Sequence, residues 1–168
     1  AIPIGLASAI CIAELFPKKI REIVKVIFEI LTGIPSVVLG FIGAVTIVPL
    51  VRTVFHLPTG LTALSGSIIL AFMSLPTIIS ISEDALRVVP HDYKEASFAL
   101  GATHLQTIFK ILIPAASSGI LVSFLLGLGR AIGETMAVMM ITGNSAQISY
   151  SFLKPIRTMT ATIAGEMG

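Results

Sequence analysis

Long apolar runs separated by short clusters of charge set the pattern of this chain. Residues 1–16 carry Glu14 alone, 26–51 carry Glu29 alone, 61–82 carry no charge, and 114–142 carry only Arg130 and Glu134. A helix that crosses the hydrocarbon core needs roughly 20 mostly apolar residues. The pattern therefore predicts spans at about 1–16, 26–51, 61–82 and 114–142, the first short because the chain opens inside an apolar run. Residues 144–167 are too interrupted by polar side chains to predict a span, although they can lead into a fifth helix. The opening residues show no initiator Met and no signal-peptide n-region, so a fragment of a longer protein is expected.

Composition strengthens this reading. Of the 168 residues 55% are hydrophobic and only 12% charged, and the mean hydropathy is +0.99. A soluble domain carries about 25% charged residues, so there is too little polar surface here to face water. A disordered chain, a nucleic-acid binder and a disulfide-built module all fit poorly, and the net charge of +2 implies no polyanionic partner. Cys11 can form no internal disulfide and is expected to pack as an apolar residue. Orientation follows from Lys and Arg, which accumulate in cytoplasmic loops. Lys18, Lys19, Arg21, Lys25, Arg87, Lys94 and Lys110 fall in the loops after the first and third spans, against Arg52, Lys154 and Arg157 on the other side. The first and third loops are thus predicted to face the cytoplasm. Gly33, Ser36, Gly40 and Gly43 form a stripe of small residues suited to close helix packing. Pro35 and Pro76 predict a kink or a break within their spans.

The stretch 83–113 would be long for a structureless loop, and it carries helix punctuation. Asp92 is placed to cap a helix from Tyr93, with Glu95 completing a capping box. Gly101 can end that helix in a left-handed conformation, and Thr103 with Gln106 offers a second capping box. Leu105, Ile108, Phe109 and Leu112 then predict one apolar face on the following helix. The residues Glu95-Ala96-Ser97, Gly101 and Ile111-Leu112-Ile113-Pro114 stand at the spacing EAA, three residues, G, nine residues, I, one residue, LP. This closely resembles the EAA loop of ABC importer permeases, with two departures, Ser97 in place of the second Ala and Ile113 in place of Leu. The resemblance implies that Glu95, Ala96, Gly101, Ile111 and Pro114 dock the loop into a cytoplasmic ATPase.

Arg130 and Glu134 lie four apart inside the last apolar run, where a charge costs about 2.5–3.5 kcal/mol on insertion scales. On one continuous helix they share a face with Gly119, Ser123, Gly127 and Ala137, within about 80° of arc. Such a stripe suits tight packing or the border of a wet cavity. The Arg130 guanidinium also matches an oxyanion in bidentate geometry, which points to an anion path. GLGRAIGETMAV, Glu14, EILTGIPSVVLGFIG and SEDALRVVPHDYKEASFALGAT together resemble the permeases of phosphate-uptake ABC transporters. That resemblance implies an all-α polytopic membrane protein with the methionine-importer-like type I permease bundle, of which about four of six spans are present. It implies that Arg130 and Glu134 line or gate a phosphate path. It also implies as partners a dimer of cytoplasmic ATP-binding subunits, a homologous second permease, an extracytoplasmic phosphate-binding protein and the bilayer, with no nucleic acid and no cofactor.

Other residues are read more plainly. Glu14 is expected to pair with Lys18 at the membrane interface or to gate, and Glu83, Asp84, Arg87, Asp92 and Lys94 to form a solvated or partner-facing surface. His56, His91 and His104 fall in loops without a second ligand at metal spacing, so no metal site is expected. The chain has no GxxxxGK[ST] phosphate loop and therefore is not read as the ATPase. An intramembrane enzyme would need a nucleophile beside Arg130 and Glu134 that the pattern does not supply. An ion-coupled secondary transporter gives no reason for the Glu95–Gly101–Pro114 spacing, and permeases for molybdate or sulfate share it.

Overall fold

The computed structural model describes residues 1–147 and 150–167, and its ordered elements are helical. In chain order they are α1 (Ile2–Glu14), α2 (Lys18–Gly33), α3 (Ser36–Val54), α4 (Ala63–Val88), α5 (His91–Ala99) and α6 (His104–Thr107). A π-helical turn (Ile108–Leu112) follows, then α7 (Ile113–Ala115), α8 (Ser117–Gly133), α9 (Met136–Ile141) and α10 (Met159–Glu166). Among the described residues α3 and α4 are each long and apolar enough to cross a membrane. The run from α6 through α8 makes a third such stretch only if its two parts, bent by 71°, are taken as one span.

Two of the predicted spans are broken, for local reasons. The run 26–51 is divided at Ile34–Pro35 between α2 and α3. Pro35 has no amide hydrogen, its ψ is 135°, and its ring keeps the preceding residue out of the helical region. Residues 18–25, read as a loop, are helical. Lys18, Glu22, Lys25 and Glu29 line one face of α2, and the Arg21 guanidinium donates to the carbonyls of Ile12 and Phe16, both at 3.2 Å. Those carbonyls close the end of α1, where a helix leaves acceptors unfilled. The run 114–142 is divided at Glu134–Thr135 into α8 and α9. Pro76, by contrast, lies inside an uninterrupted α4.

The chain folds into two compact units, each assembled from two separate segments. One comprises Ala1–Thr32 and Leu75–Leu128. Its core joins Ala13 of α1, Leu86 of α4, Ile108 and Leu112 of the π turn, and Ile120 of α8. A second cluster packs Ala9 and Ile12 against Ile79, with Val24 and Phe28 of α2 closing it. The small stripe of α8 also belongs here. Gly119 faces Ala85, and Ser123 Oγ lies 2.7 Å from Ser82 Oγ with both residues fully buried. This part of the stripe is helix packing against α4.

The other unit comprises Gly33–Ser74 and Gly129–Gly168. Ile69 and Met73 of α4 meet Ala137 and Ile141 of α9, with Leu39, Ala44, Ile47 and Val48 of α3 around them. Gly40 and Gly43 permit this approach, because a Cβ on Gly40 would stand 2.7 Å from Ala137 Cα and one on Gly43 2.7 Å from Ile69 Cδ1. Gly33 has open space around it and takes no part in this packing. The first amides of α4 find acceptors across the unit: Ala63 and Leu64 donate to the carbonyls of Lys154 and Phe152 at 3.1 and 2.9 Å.

Candidate functional site

The helix pair at 91–115 is built by its caps. Pro90 rather than Asp92 precedes the first helical residue, since its ψ of 142° sets the entry and α5 begins at His91. Asp92 lies in the first turn, where its charge favours the positive end of the helix dipole. Gly101 has φ +81°, a left-handed conformation, and donates to the Phe98 carbonyl at 2.9 Å. Thr103 and Gln106 close their capping box with bonds of 2.9 and 3.3 Å. The two arms are tied by the hydroxyls of Ser97 and Thr107, 2.8 Å apart and buried. At the position where Ser97 departs from the EAA pattern, its extra oxygen is thus used.

The predicted apolar face divides in two. Ile108 and Leu112 are buried in the core, whereas Leu105 and Phe109 are 66% and 63% exposed. At 100° per residue the four span about a quarter of the helix circumference, and the edge of the bundle runs through them. Glu95, Ala96, Gly101 and Pro114 are exposed, and Ile111 is half-buried. Leu100 stands beside Gly101 with 89% of its surface free, so this tip presents apolar side chains and one carboxylate together.

Arg130 and Glu134 do not lie on one continuous helix. Arg130 occupies the last turn of α8, and α8 ends at Gly133. Glu134 turns its carboxylate to the start of α9, where Oε1 accepts from the Ala137 amide at 3.1 Å. That bond fills one of the orphan donors of a helix start and places a negative charge at its positive end. The Glu134 carbonyl accepts from Thr160 Oγ1 at 2.9 Å, which attaches α10 to the same corner. Both side chains are half-buried, and the single helical face expected to run from Gly119 to Ala137 is interrupted where α8 ends at Gly133.

The family described as binding-protein-dependent transport system inner membrane component matches residues 1–164. The chain belongs to that family. A probable ABC transporter permease protein of Bacillus subtilis is 42% identical over 168 residues, which is 100% of this chain and 54% of the relative. A phosphate transport system permease protein of Mesorhizobium japonicum is 37% identical over 99% of this chain and 57% of its own length. Its counterpart in Xylella fastidiosa is 35% identical over 100% of this chain and 58% of the relative. The chain thus spans a little over half the length of these relatives. As a member of this inner-membrane family it is a multi-pass membrane protein.

Several charged residues of this inner-membrane component stand elsewhere than the sequence predicts. Glu14, at the end of α1, is only 7% exposed in its side chain and accepts from Lys94 Nζ of α5 at 2.6 Å, not from Lys18. Its other oxygen faces His104 Nε2 of α6 at 4.0 Å. Glu83 is buried rather than solvated, its side chain 3% exposed, with Lys25 Nζ and Arg87 Nε each 3.7 Å away. Lys25 also bonds Asp84, and that bond is the main cause holding its ammonium above the ordinary lysine range. These partners sit up to 80 positions apart in the chain, so local spacing carries no signal for them. Cys11 is exposed on α1, not packed. His91 and His104 open helices, while His56 lies in the turn after α3 with φ +51°.

Proposed function

We propose that the chain forms part of the transmembrane channel of an ATP-driven phosphate importer, as a permease subunit and not as an enzyme. The observation that carries this reading is the helix pair turned at Gly101, with Glu95, Ala96, Leu100, Leu105 and Phe109 left open at its tip. An exposed apolar helix face beside a charge suits docking into a groove on a soluble partner. In this family context the partner is a cytoplasmic ATPase dimer. A homologous second permease would complete the channel, and an extracytoplasmic binding protein would deliver the solute. ATP binding closes the ATPase, moves the docked loop, and switches the channel between outward- and inward-facing states.

Phosphate is favoured as the solute by the names of the relatives and by a guanidinium, Arg130, at the end of an apolar helix. Arg130 and Glu134 are assigned to the path or its gate. Arg130 offers donors in the geometry of an oxyanion, while Glu134 fixes the start of α9 and with it the corner next to Arg130. A permease for molybdate or sulfate is the alternative, since the coupling loop does not select the solute.

The test is ATP-dependent uptake of labelled phosphate by proteoliposomes that hold the full-length complex and its binding protein, with sulfate and molybdate as competitors. Uptake suppressed by unlabelled phosphate alone upholds the reading. Uptake of another oxyanion in its place keeps the permease and removes phosphate. In the same assay Arg130→Gln is expected to cripple uptake while the complex still assembles; full uptake by that variant removes Arg130 from the path.

A further inference from the structure

One side chain at the end of α1 is bonded to the first arm of the helix pair and stands against the second. Glu14 Oε1 accepts from Lys94 on α5 at 2.6 Å, and Oε2 faces His104 on α6 at 4.0 Å. His104 in turn stacks on Phe98 of α5, with ring centroids 6.3 Å apart, so the two arms hold the same corner. Beneath them Ala13 packs in the cluster that contains Ile108 and Leu112. The two kinds of contact differ mechanically. Apolar contact is non-directional and resists compression, but it offers little against separation or sliding. A short charge-assisted hydrogen bond is directional, and separating this part-buried pair leaves the largely covered Glu14 carboxylate uncompensated.

We infer that Glu14 is the positioning residue through which movement of the helix pair pulls on α1: the Glu14–Lys94 pair is a tension link, and the Ala13 cluster is the compression contact beside it. The inference rests on the coupling role proposed for the loop. It adds that the stroke is transmitted in both directions, since a pushed core contact alone would carry only one half of the cycle.

Hydrogen exchange at the amides of residues 10–16 tests the link in the full-length permease–ATPase complex, with and without ATP and vanadate. The wild type and Lys94→Arg, which keeps the charge pair, are expected to show a nucleotide-dependent change there. Glu14→Gln and Lys94→Met are expected to reduce that change about fivefold or more, the lower range of an ordinary coupling between sites. The reversed pair, Glu14→Lys with Lys94→Glu, is expected to return it. A purely structural ion pair would leave the nucleotide response in place. No response in the wild type, a wild-type response in the single variants, or no recovery in the reversed pair each overturns the inference. The reversed pair also decides the matter where a single variant fails to assemble. Phosphate uptake is measured on the same preparations, and a wild type that hydrolyses ATP without carrying phosphate refutes the solute reading while the exchange data still judge the link.

Discussion

Gly101 holds a backbone conformation, φ +81°, that costs an L-residue about 1–2 kcal/mol. Nothing stands within 4 Å of where its Cβ would be, so strain rather than collision governs substitution there. Asn and Asp both tolerate the left-handed region, so they differ here by charge. Gly101→Asn is expected to keep ATPase copurification, whereas Gly101→Asp adds a carboxylate to the exposed tip and should uncouple hydrolysis from uptake. Normal uptake and normal stimulated hydrolysis in Gly101→Asp would refute the docking role of the turn. A second prediction concerns hydroxyls. Ser123 Oγ donates to the Ile120 carbonyl at 2.7 Å, which leaves Ser82 to donate to Ser123. Ser123→Ala therefore orphans a buried donor and should cost about 1–3 kcal/mol, while Ser82→Ala orphans none and should cost about 1 kcal/mol. Thermal unfolding of the detergent-solubilised protein reads the difference, and equal costs would contradict the assigned direction. At this scale the sequence is legible where the chemistry is local. The Thr103–Gln106 box and the Gly101 turn each involve residues within a few positions. Asp92 misled because Pro90 had already set the helix start, and the partner of Glu14 lies 80 residues away.

Elements follow hydrophobic runs in their existence and not in their ends. The runs at 26–51 and 114–142 are each apolar enough to read as one span, yet each contains a point where the backbone has a better alternative to continuing the helix. At Pro35 the missing amide and the ring compel it; at Glu134 a carboxylate reaches forward to the Ala137 amide and begins a new helix. Periodicity counts side chains and does not weigh such caps. The same local bond carries a prediction, since Glu134→Gln keeps an acceptor for Ala137 and should preserve the fold, whereas Glu134→Ala should loosen α9 by about 0.5–2 kcal/mol. Equal melting of the two variants would remove the cap from the account. The α3–α9 contact was legible in part. Of the stripe Gly33, Ser36, Gly40 and Gly43, the two last residues are buried, and Gly40→Ala drives a methyl toward Ala137 Cα. Overpacking of that kind typically costs about 1–3 kcal/mol.

For the whole molecule the distribution of Lys and Arg remains the guide to sidedness. With the exposed Cys11 first changed to Ser, Leu100→Cys is expected to react with a membrane-impermeant thiol reagent only from the cytoplasmic side, and His56→Cys only from the other. Labelling of both from one side would overturn the orientation. What composition and periodicity did not reveal is the interleaving, because each unit draws on two segments separated in the chain. Synthesis meets this arrangement in a fixed order. Gly40 on α3 is made long before Ala137 and Met140, the α9 residues that cover it. Gly43 meets Ile69 of α4 early, but Gly40 meets Ala137 and Met140, and at about 5–20 residues per second the roughly 97 residues from Gly40 to Ala137 take about 5–19 s to be added. Through that interval a small-residue face able to receive any neighbouring helix stands open, so the half-made chain carries a docking face that the finished protein hides.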